Sequence, residues 1–192
     1  MKLRTSTASA LALAAVVTGG LVLSATPAKA NDKLVELAND PANWVMTGRD
    51  YNANNYSALE QINKDTVSDL RSAWSFSTGV LHGHEGTPLV VDGMMYIHSP
   101  FPNTTFAIDL DDPGKIVWQH KPKQSPTARA VACCDVVNRG LAYWPGDDET
   151  GPLIMKTQLD GHIVALDAKT GALRWMMENS DIKVGSTLTI AP

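Results

Sequence analysis

The sequence predicts an all-β fold of the propeller type, and three observations carry that expectation. The chain repeats itself: Ala107-Ile108-Asp109-Leu110-Asp111-Asp112-Pro113-Gly114-Lys115-Ile116-Val117-Trp118 matches Ala165-Leu166-Asp167-Ala168-Lys169-Thr170-Gly171-Ala172-Leu173-Arg174-Trp175 with one residue inserted. Each copy reads as a strand, an Asp/Gly turn and a strand ending in tryptophan. The second observation is the hairpin signal of Leu89-Val90-Val91 and Met94-Met95-Tyr96-Ile97 around Asp92-Gly93, a dipeptide suited to a type I′ turn. The third is a turn-rich composition of 14 Gly and 11 Pro against only 3 Phe.

Leu70 to Trp74 resembles the last strand of an earlier copy, so tryptophans fall at 74, 118 and 175. A repeat of roughly 40–50 residues with several strands per unit is the signature of stacked blades. Such a blade is apolar on both faces and buries them only against its neighbours. The repeated tryptophan is expected to fill the gap between blades. The alternative is a β-sandwich with a chance duplication, which the matching Asp, Gly and Trp positions argue against. Two units are expected, Gly86 to Trp118 and Arg139 to Trp175, with a third starting at Thr189. A propeller closes only with a full ring, so the sequence is expected to be part of a longer one.

The first thirty residues belong to a different argument. Met1-Lys2-Leu3-Arg4 is basic, Ala8 to Leu23 is uncharged and mostly apolar, and Ala28-Lys29-Ala30 places small residues where a signal peptidase reads. Residues 1–30 are therefore expected to be a signal peptide, with the exported domain spanning 31–192. Sixteen residues are short for a bilayer core, which needs about 20. Before Pro41, Leu34 to Leu37 is expected to form a short helix. The balance of 16 basic and 20 acidic residues contains no basic block, which argues against nucleic acid or an anionic membrane as partner.

The repeat also nominates a site. In a propeller the start of each innermost strand faces one end of the central channel. Glu85 lies three residues before Pro88, Thr189 lies three before Pro192, and Arg139 opens the second unit just after Cys133-Cys134. These five residues are expected around one opening. A carboxylate, a guanidinium and a hydroxyl on one rim suit a polyanionic, hydrogen-bonding small molecule. Taken singly, each is as readily a turn residue, a surface cation or strand filler.

Adjacent Cys133 and Cys134 leave two readings open. An oxidising compartment favours a disulfide. Geometry favours free thiols, because a trans peptide spaces Cα atoms at about 3.8 Å, below the usual disulfide range of about 4.4–6.8 Å. His82 and His84 are expected to be loop histidines rather than metal ligands, and Asp147-Asp148-Glu149 a solvated acidic turn. There is no phosphate-binding glycine loop and no nucleophile elbow.

At these residues the chain resembles the pyrroloquinoline quinone (PQQ) alcohol dehydrogenases. The resemblance runs from Asn31 to Pro192 through Trp74-Ser75-Phe76-Ser77-Thr78-Gly79, Gly83-His84-Glu85-Gly86 and Cys133-Cys134-Asp135-Val136-Val137-Asn138-Arg139-Gly140. The Cys pair followed by Asn-Arg-Gly is its specific part. Within that family, Asn31-Asp32-Lys33-Leu34, Tyr143-Trp144-Pro145-Gly146 and Lys156 to Gly161 are similar to the large subunit of the calcium-dependent methanol dehydrogenases rather than the lanthanide-dependent ones.

The resemblance implies an eight-bladed propeller with PQQ in its channel. It implies a vicinal Cys133–Cys134 disulfide stacked on the quinone, which overrides the preference for free thiols. Arg139 would pair with cofactor carboxylates, Glu85 would bond at its edge and Thr189 would contact another carboxylate. It further implies a bound calcium acting as Lewis acid, an Asp base, a small subunit in a hetero-oligomer, an alcohol substrate oxidised to aldehyde, and cytochrome c as electron acceptor in the periplasm. The cation ligands and the base belong to later blades and have no counterpart here. The competing expectation is a non-catalytic propeller scaffold for cell-envelope assembly, which would have no reason to keep the Cys pair.

Overall fold

A computed structural model describes residues 31–132 and 135–192. The expected signal peptide and the Cys133-Cys134 pair lie outside these residues. A first helix, α1 (Asp32–Asn39), is longer than the four residues expected, because its ends are capped. The Asn31 side chain accepts a hydrogen bond from the Leu34 amide at 3.1 Å, and Asp32 sits in the first turn, where the helix dipole favours negative charge. Leu34 and Ala38 face the core.

Two four-stranded antiparallel sheets follow, each a simple meander. The first contains β1 (Leu89–Val91), β2 (Met94–His98), β3 (Thr105–Asp109) and β4 (Lys115–His120). The second contains β5 (Ala142–Trp144), β6 (Leu153–Thr157), β7 (His162–Asp167) and β8 (Leu173–Glu178). Between them lies the short helix α2 (Ala128–Val131). Asp92 and Gly93 have φ of 49° and 77°, as a type I′ turn demands. The repeat extends to its irregularities, since β3–β4 shifts register at Ala107/Ile108 and β7–β8 at Ala165/Leu166. Both shifts place the tryptophan opposite an alanine, Trp118 against Ala107 and Trp175 against Ala165.

These two sheets are blades of a propeller, and Trp118 shows how they stack. Its indole N–H donates to the Ala168 carbonyl of the second blade at 2.9 Å, and the Tyr96 hydroxyl donates to the same oxygen at 3.2 Å. The indole lies flat enough on Gly171 that a Cβ there would come within 2.6 Å of the ring. Gly171 also has φ of 71°, so both space and backbone require glycine. Leu89, Val91, Tyr96 and Trp118 pack with Leu141, Ile154, Val164 and Leu166 in one core. Trp175 occupies the equivalent place on β8 yet is 41% exposed, because among the described residues no blade covers that face.

The expected strand at Leu70 to Trp74 is absent. The segment holds a 3₁₀ turn, Val67–Asp69, and then continues without ladder partners. An extended segment becomes a strand only when its amides and carbonyls find a neighbouring edge, and the described residues offer it none. For the same reason Thr189 to Pro192 forms no inner strand.

Candidate functional site

The two innermost strands approach each other just before β1 and β5, where Thr87 and Gly140 form a parallel bridge. The approach is close because both chains use glycine here. A Cβ on Gly86 would lie 3.3 Å from the Gly140 Cα and 3.4 Å from the Asn138 carbonyl, and Gly140 has φ of 136°. The glycines that follow Glu85 and Arg139 thus let the backbones meet and bring the two charged side chains together.

Arg139 is the centre of the cluster. Its Nη2 lies 3.5 Å from Glu85 Oε2, and its Nη1 donates to Thr189 Oγ1 at 2.8 Å. Its backbone amide donates to the Thr189 carbonyl at 3.0 Å. Glu85, Arg139 and Thr189 are therefore assembled at one rim, as the repeat predicts. Both charged side chains remain about half exposed, at 50% for Arg139 and 49% for Glu85. The arrangement is open toward solvent and has donors left over. A guanidinium carries five N–H groups, more than these contacts use. The Thr189 hydroxyl accepts from Arg139, so its own hydrogen is available to another acceptor. This donor set fits a ligand carrying carboxylates.

The two residues that follow the Cys pair are tied to earlier parts of the chain. Asp135, at φ 64°, pairs with His82 Nδ1 at 3.2 Å, and the Val136 carbonyl accepts from the Phe101 amide at 2.9 Å. His84 bonds Thr78 Oγ1 at 2.8 Å and the His82 carbonyl at 2.8 Å. Both histidines are loop residues, as expected, and among the described residues no cluster of metal-ligating side chains occurs. Asp147 is a solvated turn residue whose Oδ1 accepts from the amides of Thr150 (2.7 Å) and Glu149 (3.0 Å), which holds its pKa below the usual value.

Sequence reasoning missed the polar network beneath the rim. Lys156, fully buried, donates from Nζ to the Asn103 carbonyl at 2.7 Å. Burial lowers its pKa to about 7, opposed by Asp160. Asn103 sits in the turn after the cis Phe101–Pro102 bond, and its Oδ1 accepts from the Leu159 amide at 3.1 Å and Gln124 Nε2 at 2.9 Å. His98, Thr105 and His120 are cross-strand neighbours. Both ring nitrogens of His98, together with Thr105 Oγ1 and His120 Nδ1, are buried without a hydrogen-bond partner. Burial, then the nearby Lys156, pushes His98 down to about 3, and the same two causes bring His120 to about 4. The signal available in the sequence was Asn138 itself, inside the Asn-Arg-Gly motif.

A stacked-blade propeller with a cation and an anion at the mouth of adjoining inner strands defines the class. Comparison with known proteins then defines the family. The family model for the PQQ β-propeller domain of glucose, ethanol and alcohol dehydrogenases matches residues 44–176, and the chain belongs to this family. It is 76% identical over 96% of its length to methanol dehydrogenase [cytochrome c] subunit 1 of Paracoccus denitrificans. It is 53% identical over 90% of its length to a lanthanide-dependent methanol dehydrogenase of Methylacidiphilum fumariolicum. The chain spans 29% and 28% of the length of these two relatives. Among solved structures, a europium-containing methanol dehydrogenase superposes with a TM-score of 0.79 at 53% identity, over 84% of this chain and 27% of the other.

Proposed function

We propose that these residues form the first blades of the large subunit of a periplasmic quinoprotein that oxidises methanol and other primary alcohols to aldehydes. The observation that carries this reading is the Glu85–Arg139–Thr189 rim, with Arg139 Nη1 and the Thr189 hydroxyl 2.8 Å apart. Arg139 supplies the cationic clamp for the carboxylates of PQQ, and Glu85 orients the guanidinium from the other side. Thr189 presents its hydroxyl hydrogen to a carboxylate, and Cys133-Cys134 forms a disulfide lying against the cofactor plane. When bound, PQQ supplies the two-electron acceptor for oxidation of the alcohol carbon.

The reading extends to parts that other blades would supply. Those parts are an eight-bladed ring, a base and a calcium site, with a small subunit bound and cytochrome c taking the electrons. The greater identity to methanol dehydrogenase [cytochrome c] subunit 1 than to a relative named as lanthanide-dependent weighs against a lanthanide, at 76% against 53%. Residues 1–30 act as the export signal and are removed before Asn31.

The test is titration of PQQ into the apo form of the full-length protein. A charge-assisted bond to a carboxylate contributes about 1.5–3 kcal/mol, so Arg139→Ala should weaken PQQ binding by roughly tenfold to a hundredfold. Unchanged affinity would overturn the reading of this rim as the cofactor site.

A further inference from the structure

The rim rests on two buried residues, Asn138 at 2% exposure and Thr157 at 1%. Asn138 directly precedes Arg139. Its Nδ2 donates to both the carbonyl and Oγ1 of Thr157, each at 3.1 Å, and its Oδ1 accepts from the Gly140 amide at 3.1 Å. Asn138 therefore brackets Arg139, fixed by side-chain bonds on one side and by its link to Gly140 on the other. Thr157 ends β6 and passes the connection on, because its hydroxyl donates to the Ile190 carbonyl at 2.5 Å. Ile190 adjoins Thr189, which receives both the backbone amide and the Nη1 of Arg139. The path closes: Asn138 to Thr157, to Ile190 and Thr189, to Arg139, and back through one peptide bond.

A closed circuit of this kind has a specific consequence. A long arginine side chain at a half-exposed rim would otherwise sample many rotamers, and anchoring it costs side-chain entropy at each binding event. The circuit fixes the partner, Thr189, relative to the backbone that carries Arg139. The single Thr157 hydroxyl makes two of its links, as acceptor from Asn138 and donor to Ile190. We propose that Asn138 and Thr157 are positioning residues that preset Arg139 and Thr189 for a carboxylate-bearing ligand. This inference rests on the reading of the rim as the PQQ site.

The experiment uses the full-length protein in its apo form, with PQQ as the probe. Thr157→Val keeps the side-chain volume and removes both links, and should weaken PQQ binding about tenfold. Thr157→Ser restores the hydroxyl and should return affinity to within about twofold. In an Arg139→Ala background Thr157→Val should change affinity by less than about twofold, because its effect acts through Arg139. An equal loss in both backgrounds, or no loss in either, overturns the proposal. If Arg139→Ala itself leaves affinity unchanged, the reading of the rim fails instead. Hydrogen exchange then decides the positioning claim without ligand. The Arg139 amide should exchange about tenfold faster in Thr157→Val while β2 stays protected, and unchanged exchange there overturns it. Should Thr157→Val not fold, Asn138→Ser shortens the same circuit and is read by the same two measurements.

Discussion

Replacing Gly171 by alanine should destabilise the protein mainly through a tryptophan on the neighbouring blade, and the size of the effect can be apportioned. The backbone contribution comes from φ of 71°. Holding an L-residue in the left-handed region costs about 1–2 kcal/mol. The packing contribution comes from the added Cβ, which would lie 2.6–3.0 Å from three atoms of the Trp118 indole. Contacts that short force the ring or the blade to move, and overpacking of this type costs about 1–3 kcal/mol. A retreating ring also loses its 2.9 Å bond to Ala168, worth about 0.5–1.5 kcal/mol, so Gly171→Ala should cost about 2.5–6.5 kcal/mol in all. A double-mutant cycle separates the two contributions. In a Trp118→Leu background the clash is gone, and Gly171→Ala should cost only the backbone share of about 1–2 kcal/mol. The assay is equilibrium denaturation of the full-length protein and the three variants. An equal cost of Gly171→Ala in both backgrounds would refute the claim that the indole seats on this glycine.

Two further outcomes are expected. His98 is held down to about 3 from its usual 6.5, so between those pH values the unfolded chain binds a proton that the folded chain refuses. Stability should therefore fall as pH drops through this window, by at most about 1.4 kcal/mol per pH unit from this group, and His98→Asn should show a shallower loss between pH 6 and 4; parallel curves would show that His98 is not the source. If Cys133 and Cys134 are paired against the cofactor, reduction and alkylation of the full-length protein should lower PQQ retention more than melting temperature, because so small a loop constrains the unfolded chain little; free thiols found by mass spectrometry in PQQ-loaded, active protein would contradict this.

The parts of the fold legible in the sequence are those fixed by local rules. Asp92-Gly93 announces its turn because few other dipeptides accept two positive φ values, here 49° and 77°. Trp118 was identifiable as blade packing because its repeat partner Trp175 follows an Asp/Gly turn of the same type. The buried network was not legible, because it depends on contacts between distant segments. Lys156 lies in a strand whose burial does not alternate, since Leu153, Ile154, Lys156 and Thr157 are all buried. Period-two reasoning assigns a lysine to solvent, yet this one reaches a carbonyl 53 residues earlier in a cis-proline turn. The Leu70 to Trp74 segment failed in the opposite way. It has the residues of a strand, but pairing is a property of the neighbour as much as of the segment.

The location of the candidate site follows from how the blades share their residues. Within the strands many repeat positions are apolar and are consumed by packing, as with Leu89, Val91, Ile154 and Val164. Polar side chains recur where strands end, as with Asp109 and Asp167, and just before an inner strand begins, where the ring geometry makes the positions converge. Glu85 and Arg139 meet at 3.5 Å across two units for this reason. That meeting depends on Gly86 and Gly140, since a side chain at Gly86 would press on the opposing backbone at 3.3 Å. The glycines, the charged residues before them and the buried Asn138 form one device. The first lets two backbones touch, the second projects charge into the opening, and the third fixes where that charge stands.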